Sequence, residues 1–325
     1  MVFKSPVVSL GGFRLREDKL NILVATRNRP KDISNLLESL IHQTNPNFFI
    51  TIVDSSTDLL EETNAVISKY KKSMNINYHS TNKRGSCTQR NLGLDLIREY
   101  LVLISDDDCI FEPDTIEKLY EYLKENPDIA LFGLNIKEER KPSKLKFIKK
   151  ILGISNQSKN YIIRKNGINC TGSIYRDDLK VEWLPSGALV IVKSNIKDNN
   201  LLKFNTSLER FSGYCSAEDA YLTYSIYLKG YKLGLANKAI VHHFPSISSR
   251  DHDKLMYKVR TYNRFIVWHD LIFSQSKINF VPFIISNLIF TLQYSLFILK
   301  GNINPLTGHL NGLKEAYCFY KGKNQ

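Results

Sequence analysis

Cysteine is scarce and unpaired in this chain: Cys87, Cys109, Cys170, Cys215 and Cys318 are scattered through 325 residues, with no C-x-x-C pair among them. That spacing argues against a disulfide framework and a thiolate zinc cage, and it fits a reducing compartment. The N-terminal MVFKSPVVSLGGFRLRED offers too short an apolar run for a secretory leader. Nor is any stretch of about 20 residues cleanly apolar. Internal repeats and low-complexity tracts are missing too. These absences set the expectation of a cytoplasmic protein that is not secreted.

What is present is an ordinary globular balance, 43% hydrophobic and 24% charged, in a chain long enough for one large domain with an appendage or for two modest ones. Its formal net charge of +13 favours anionic partners, whether nucleic acid, lipid headgroups or phosphorylated substrates.

From Leu20 onward, short apolar runs alternate with amphipathic ones. LNILVAT (Leu20–Thr26) reads as a strand. Asp32–Gln43 follows as a helix, with Ile33, Leu36, Leu37, Leu40 and Ile41 on one face. Further strands are expected at Phe49–Val53, Ile76–His79, Tyr100–Ser105 and Ile129–Gly133, and helices at Asp58–Tyr70, Thr88–Glu99 and Pro113–Lys124. Such alternation predicts a mostly parallel sheet covered on both faces, a Rossmann-like α/β arrangement. The alternation breaks between Asn135 and Lys180, where KEERKPSKLKFIKK is followed by a polar segment. This stretch reads as a solvated loop, or as a lid or surface meeting an anionic acceptor or membrane. Past Phe244 the composition shifts to a helical region. There Asp253–Trp268 is a helix rich in basic and aromatic residues, and Asn279–Leu299 runs uncharged between Lys277 and Lys300. Two readings stand for that run, a buried core helix or one lying in a membrane interface.

In open parallel sheets ligands bind at the carboxyl ends of strands, so polar residues placed there carry the most information. Three places qualify: Thr26 to Pro30 after the first strand, Asp54-Ser55-Ser56 after the second, and Asp106-Asp107-Asp108 after LVLIS. Adjacent carboxylates repel one another unless a cation compensates, and a hard divalent ion is the natural compensator. A cluster of helix-capping acids is the competing explanation. The basic turn Asn82 to Ser86, with Arg90 beyond it, suits approach to a diphosphate.

Taken in order, T-R-N-R-P, I-V-D-S, N-K-R-G-x-x-x-x-R-N-L-G, S-D-D-D-x-x-x-x-P, W-L-P-S-G-A, E-D-A-Y-L and A-I-V-H-H are collinear over Leu20 to Phe244. This series resembles the inverting family 2 glycosyltransferases with the GT-A fold, of the bacterial polysaccharide type. The resemblance implies a catalytic domain over residues 20–244, with a nucleotide-sugar half (20–134), a variable segment (135–180) and an acceptor half (181–244). A helical region at 245–325 would follow it, and a lead-in at 1–19 would precede it. It makes Thr26, Arg29, Asp54, Arg84, Arg90 and Asp107 contacts to the nucleotide sugar. It makes Asp106, Asp108 and His243 ligands of Mn²⁺ or Mg²⁺, and Trp183, Gly187 and Glu218 contacts to the acceptor. Asp219 becomes the catalytic base, with Glu218 as the alternative, because the acidic pair is followed here by Ala-Tyr-Leu rather than the family's usual Asp-Leu.

The implied activity is transfer of a sugar from a nucleotide-diphosphate sugar to a hydroxyl of a glycan or lipid-linked acceptor, in surface polysaccharide synthesis. It would take place in the cytoplasm, at the inner face of the membrane. Two other classes compete. A sugar nucleotidyltransferase would share the nucleotide-binding core and the metal carboxylates, but TRNRPKD lacks the glycines of a phosphate-cradling loop. A non-catalytic nucleic-acid-binding protein would explain the charge, but the basic residues are dispersed rather than striped.

Overall fold

The computed structural model describes residues 19–137, 154–172, 180–211, 214–245 and 253–323. The lead-in before Lys19 and the basic stretch 138–150 lie outside the described residues.

The first half follows the expected alternation: β1 (Leu20–Thr26), α1 (Pro30–Ile41), β2 (Phe48–Asp54), α2 (Leu60–Tyr70), β3 (Ile76–Ser80), α3 (Ser86–Leu96) and β4 (Leu101–Asp106). After these come β5 (Cys109–Phe111), α4 (Thr115–Glu125) and β6 (Leu131–Lys137). Pro30 opens α1, where its fixed φ is already helical and its missing N–H costs no bond. Ile33, Leu36, Leu37 and Leu40 then fall on one buried face. Helix α3 starts at Ser86 and stops at Leu96, earlier at both ends than its periodicity suggests. Ile97 has turned to extended geometry (φ −83°, ψ 123°) and is buried in the core.

A small hairpin of β7 (Ile162–Ile163) and β8 (Asn169–Cys170) precedes β9 (Ala188–Val192), α5 (Glu218–Leu228) and β10 (Leu233–His243). The main sheet has eight strands in the order β3-β2-β1-β4-β9-β6-β10-β5. Six of them run the same way. β9 lies antiparallel between β4 and β6, and β5 pairs antiparallel with β10 at the edge. ALVIV is buried at all five positions because the sheet is covered on both faces. Alternation along β1 shows the two faces directly. Leu20, Ile22 and Val24 pack with the inner faces of α1 and α4, while Leu23 points to the side of α3 and α5.

Among the described residues three further α-helices follow: α6 (Asp253–Trp268), α7 (Phe280–Ser295) and α8 (Asn304–Lys323). An aromatic cluster including Tyr161, Trp183, Tyr262, Phe265, Trp268 and Phe283 joins this region to α5 and the hairpin. α8 crosses α6 at two glycines one turn apart. A Cβ on Gly312 would stand 2.6 Å from the Lys258 carbonyl oxygen, and one on Gly308 would drive into the Lys254 carbonyl. Backbone cannot yield as a side-chain tip can. Gly308→Ala is therefore expected to destabilise the protein, although alanine is favoured over glycine in a helix by about 1 kcal/mol. Overpacking of about 1–3 kcal/mol outweighs that gain, and urea unfolding with an unchanged or raised midpoint would contradict so close a crossing.

Candidate active site

Parallel pairing brings the carboxyl ends of β1, β2 and β4 side by side, with Thr26 opposite Asp54 and Ala25 opposite Asp106. Beyond these ends opens a cavity of about 360 Å³, lined among others by Thr26, Arg29, Arg84, Arg90, Asp106 and Asp107. The three aspartates of the triple each have a different role.

Asp107 points inward and is buried. Its Oδ2 accepts from the Thr26 hydroxyl at 2.7 Å and its Oδ1 from Arg29 Nη1 at 2.7 Å. Burial pushes its carboxyl up to about 7, against the pull of the Arg29 guanidinium and with the repulsion of Asp108. Asp106 closes β4, where its Oδ1 accepts from Arg90 Nη2 at 2.7 Å. Gly187 at the start of β9 approaches so closely that a Cβ there would lie 3.2 Å from Asp106 Oδ2. Asp108 is placed by the edge ladder: His243 pairs with Cys109 across β10 and β5, and the Phe244 N–H donates to the Asp108 carbonyl at 3.0 Å. This register brings His243 Nε2 to 3.0 Å from Asp108 Oδ1. One ligand atom each from Asp106, Asp108 and His243 can be chosen so that all lie within 4.8 Å of one another. The three residues assigned to the metal thus converge. His242, one residue earlier on β10, pairs instead with Glu112 at 2.9 Å.

Arg90 ties this cluster to α5. Its buried guanidinium bridges Asp106 and Glu218, the latter at 3.0 Å from Nη1, and stacks over Phe204. Burial alone would lower its pKa, but the two carboxylates outweigh burial and hold it protonated. Glu218 and Asp219 follow Ala217, whose φ of 65° is a left-handed conformation that residues with a Cβ rarely adopt. Asp219 accepts from the Ala220 N–H at 2.7 Å and from the Ser186 N–H at 3.4 Å. Burial, and then the charge of Glu218, raise its carboxyl to about 7. A second, larger cleft of about 1060 Å³ is lined by Gly187, Glu218 and Asp219.

Two of the expected contact residues lie behind these surfaces rather than on them. Asp54 is fully buried: its Oδ1 accepts from the Ser56 N–H and hydroxyl at 2.7 and 2.5 Å, and its Oδ2 from the Tyr78 hydroxyl at 2.7 Å. Trp183 is buried in the aromatic cluster, with its indole N–H donated to the Cys170 carbonyl at 3.0 Å.

Several residues that shape the site escaped the sequence reading. Gln89 clamps the strand ends, donating to the Thr26 and Val53 carbonyls at 2.8 and 2.9 Å. The only clue to it is a polar residue on the inner face of α3. Glu209 reaches from 122 residues away to cap α3, accepting from the Cys87 and Thr88 N–H groups and from the Thr88 hydroxyl at 2.7 Å. The helix end expected to face a diphosphate thus already carries a carboxylate, which its positive dipole end favours. Asn28 takes a left-handed φ of 53°, and its side-chain oxygen accepts from the Thr57 and Asp58 N–H groups, ordering the turn before α2. Its place in T-R-N-R-P was a signal, since asparagine tolerates that conformation.

A mostly parallel sheet with paired carboxylates at the end of its fourth strand and a histidine brought in from the last strand defines the GT-A class. Residues 21–178 match the model of glycosyl transferase family 2, and the chain carries a family 2 glycosyltransferase domain. A stretch of 111 residues is 35% identical to an uncharacterized glycosyltransferase of Haemophilus influenzae, covering 34% of this chain and 36% of that protein. The chain thus spans little more than a third of that relative's length. In three dimensions it is similar to TarS 1-349 of S. aureus in complex with UDP-GlcNAc, with a TM-score of 0.57, 20% identity, and coverage of 92% of this chain and 80% of that one. It is also similar to the mannosyltransferase PcManGT of Pyrobaculum calidifontis in complex with GDP-Man and Mn²⁺. That match has a TM-score of 0.54 and 12% identity, and covers 97% of this chain and 91% of the other.

Proposed function

We propose that this protein transfers a sugar, with inversion, from a nucleoside-diphosphate sugar to a hydroxyl of a glycan or lipid-linked acceptor, in the assembly of a surface polysaccharide. The observation that carries this reading is the meeting of two spaces. The cavity at the strand ends and the larger cleft share Arg90, Asp106 and His243, and Asp219 lines the cleft but not the cavity. A donor in the first and an acceptor in the second would meet beside the acidic cluster.

Two carboxylates and an imidazole form a hard oxygen-and-nitrogen set of the kind that suits Mn²⁺ or Mg²⁺. Asp106, Asp108 and His243 would hold the ion, which supplies positive charge against the departing diphosphate. Thr26, Arg29 and Arg84 line the cavity, and the two guanidiniums offer charge-assisted hydrogen bonds to phosphate oxygens. Asp107 keeps Arg29 in place. Asp54 shapes the β2–α2 turn, and a direct nucleoside contact from it requires exchange of its bonds to Ser56 or Tyr78. Trp183 supports the acceptor cleft from beneath.

An acceptor hydroxyl attacks poorly while it keeps its proton, so a carboxylate beside it must take that proton as the bond forms. Glu218 is held by Arg90, which leaves Asp219 as the base, and its raised pKa makes it a better proton acceptor near neutrality than an ordinary aspartate. The reaction belongs in the cytoplasm, at the inner membrane face when the acceptor is lipid-linked.

The test is product analysis with a panel of nucleotide sugars and Mn²⁺. The expected products are a nucleoside diphosphate and a glycoside of inverted configuration. Inorganic diphosphate would instead indicate nucleotidyl transfer. Because the base must be ionised and its pKa lies near 7, kcat/KM is expected to fall about tenfold per pH unit below about 7 and to level off above it. A profile that is flat across that range removes Asp219 from the role of base.

A further inference from the structure

Helix α7 is built inside out. Its buried positions are Phe283, Ser286 and Asn287, two of them polar, whereas Val281, Ile284, Ile285, Leu288 and Leu292 are 39–69% exposed. These five recur at i, i+3, i+4, i+7 and i+11, which places them in one stripe. Leu296 and Leu299, also exposed, continue it. A surface helix of a soluble domain has the reverse arrangement, with apolar residues toward the core.

The inner face is tied down by polar bonds. Arg264 Nη1 donates to the Ser286 hydroxyl at 3.0 Å and to the Asn166 carbonyl at 3.2 Å, and its Nη2 donates to the Asn287 side-chain oxygen. The guanidinium also lies over the Phe283 and Phe290 rings, at 5.1 and 4.8 Å from their centroids. Trp268 Nε1 donates to the Asn279 carbonyl at 3.1 Å, fixing the helix entrance. Rolling α7 to hide its leucines would strand a buried guanidinium without partners, which is costly. The stripe is held outward.

Charge identifies what covers it. No acidic residue occurs between Asp270 and Glu315, while Lys277, Lys300 and Lys314 do. Lys277 and Lys300 are exposed and bracket the stripe, and within the 24-residue segment they bound an 18-residue window has a mean hydropathy of 1.7 and is only 17% buried. A second copy of the chain fits poorly, because pairing α7 with itself in either direction sets lysine opposite lysine. Anionic headgroups fit both ends, with apolar side chains reaching the acyl boundary between them.

We propose that the α7 stripe docks in the interfacial layer of an anionic lipid bilayer, lying in its plane with the polar inner face still bound to the protein body. This inference is independent of the donor chemistry, and its test reads vesicle binding alone. In flotation assays the full chain is expected to rise with phosphatidylcholine vesicles containing roughly 30% phosphatidylserine and to stay behind with phosphatidylcholine alone. Leu288→Glu combined with Leu292→Glu should abolish flotation, with the melting temperature unchanged because both side chains are exposed. Lys277→Gln combined with Lys300→Gln, which leaves the stripe intact, should weaken binding by roughly 25-fold, about fivefold for each lysine. Failure to bind anionic vesicles, equal binding to neutral ones, or wild-type binding by the double glutamate variant overturns the proposal. So does self-association that the glutamate variant abolishes, which would assign the stripe to a second copy. Resistance to alkaline carbonate extraction would mean that α7 crosses the bilayer, and that too overturns it.

Discussion

Asp219→Asn is expected to lower the transfer rate by about 10²- to 10⁴-fold, the usual cost of losing a general base, with donor affinity unchanged. The substitution is close to isosteric. Its amide oxygen can still accept from the Ala220 N–H, which donates to the carboxylate at 2.7 Å in the native protein, so the start of α5 should keep its shape. What disappears is the ability to accept a proton. Asp219 lines the larger cleft and not the strand-end cavity proposed for the donor, so donor titrations should superimpose on those of the native protein. Glu218→Gln should behave differently. Glu218 pairs with Arg90, which also holds Asp106, so its neutralisation should loosen the link between the two spaces and disturb donor binding as well as rate. A variant Asp219→Asn that still transfers at near-native rate, or one that loses rate and donor affinity together, would show that Asp219 is not the base.

The sequence disclosed the alternation of strands and helices most plainly, because period-2 and period-3.6 patterns follow directly from burial of one face or two. It also marked the strand-end polar residues, and the carboxylates and histidine assigned to the metal do converge. Their convergence depends on register: β5 is only three residues long, and its antiparallel pairing with β10 sets His243 rather than His242 beside Asp108. Motif order suggested that choice, and ladder geometry accounts for it. The sequence hid the partners supplied from far along the chain. Nothing near Ser86 announces that Glu209 caps α3, and nothing near Asp54 shows that Tyr78, 24 residues on, already occupies one of its oxygens. The family resemblance implied an acceptor contact for Trp183 as part of W-L-P-S-G-A, and Pro185, Ser186 and Gly187 of that motif do line the cleft. The Trp183 side chain turns the other way, into the aromatic cluster. The direction of one side chain at an irregular turn cannot be read from spacing, and that same limit leaves the Asn279–Leu299 run open to two readings at the level of sequence.

Asp108→Ala is expected to weaken Mn²⁺-dependent binding of the donor by at least the 10- to 100-fold that loss of a partner behind a metal ligand typically costs. Donor affinity measured without metal should change little. The fold should tolerate the change, because Asp108 holds the β5–β10 edge through its backbone: its carbonyl accepts from the Phe244 N–H whatever the side chain. Arg29 keeps its shorter bond to Asp107, at 2.7 Å against 3.4 Å to Asp108. Removing one of three adjacent carboxylates also relieves repulsion that helps to raise Asp107, so without metal the variant should be no less stable than the native protein. The two effects separate a ligand from a structural acid. A ligand's loss appears only with the ion present, as a smaller rise in melting temperature when Mn²⁺ and nucleotide sugar are added together. A capping or structural acid would lower the melting temperature in both conditions alike. Calorimetry that finds the same Mn²⁺-dependent donor affinity in Asp108→Ala as in the native chain would remove Asp108 from the metal site and leave the triple aspartate as a local cluster shaping the turn before β5.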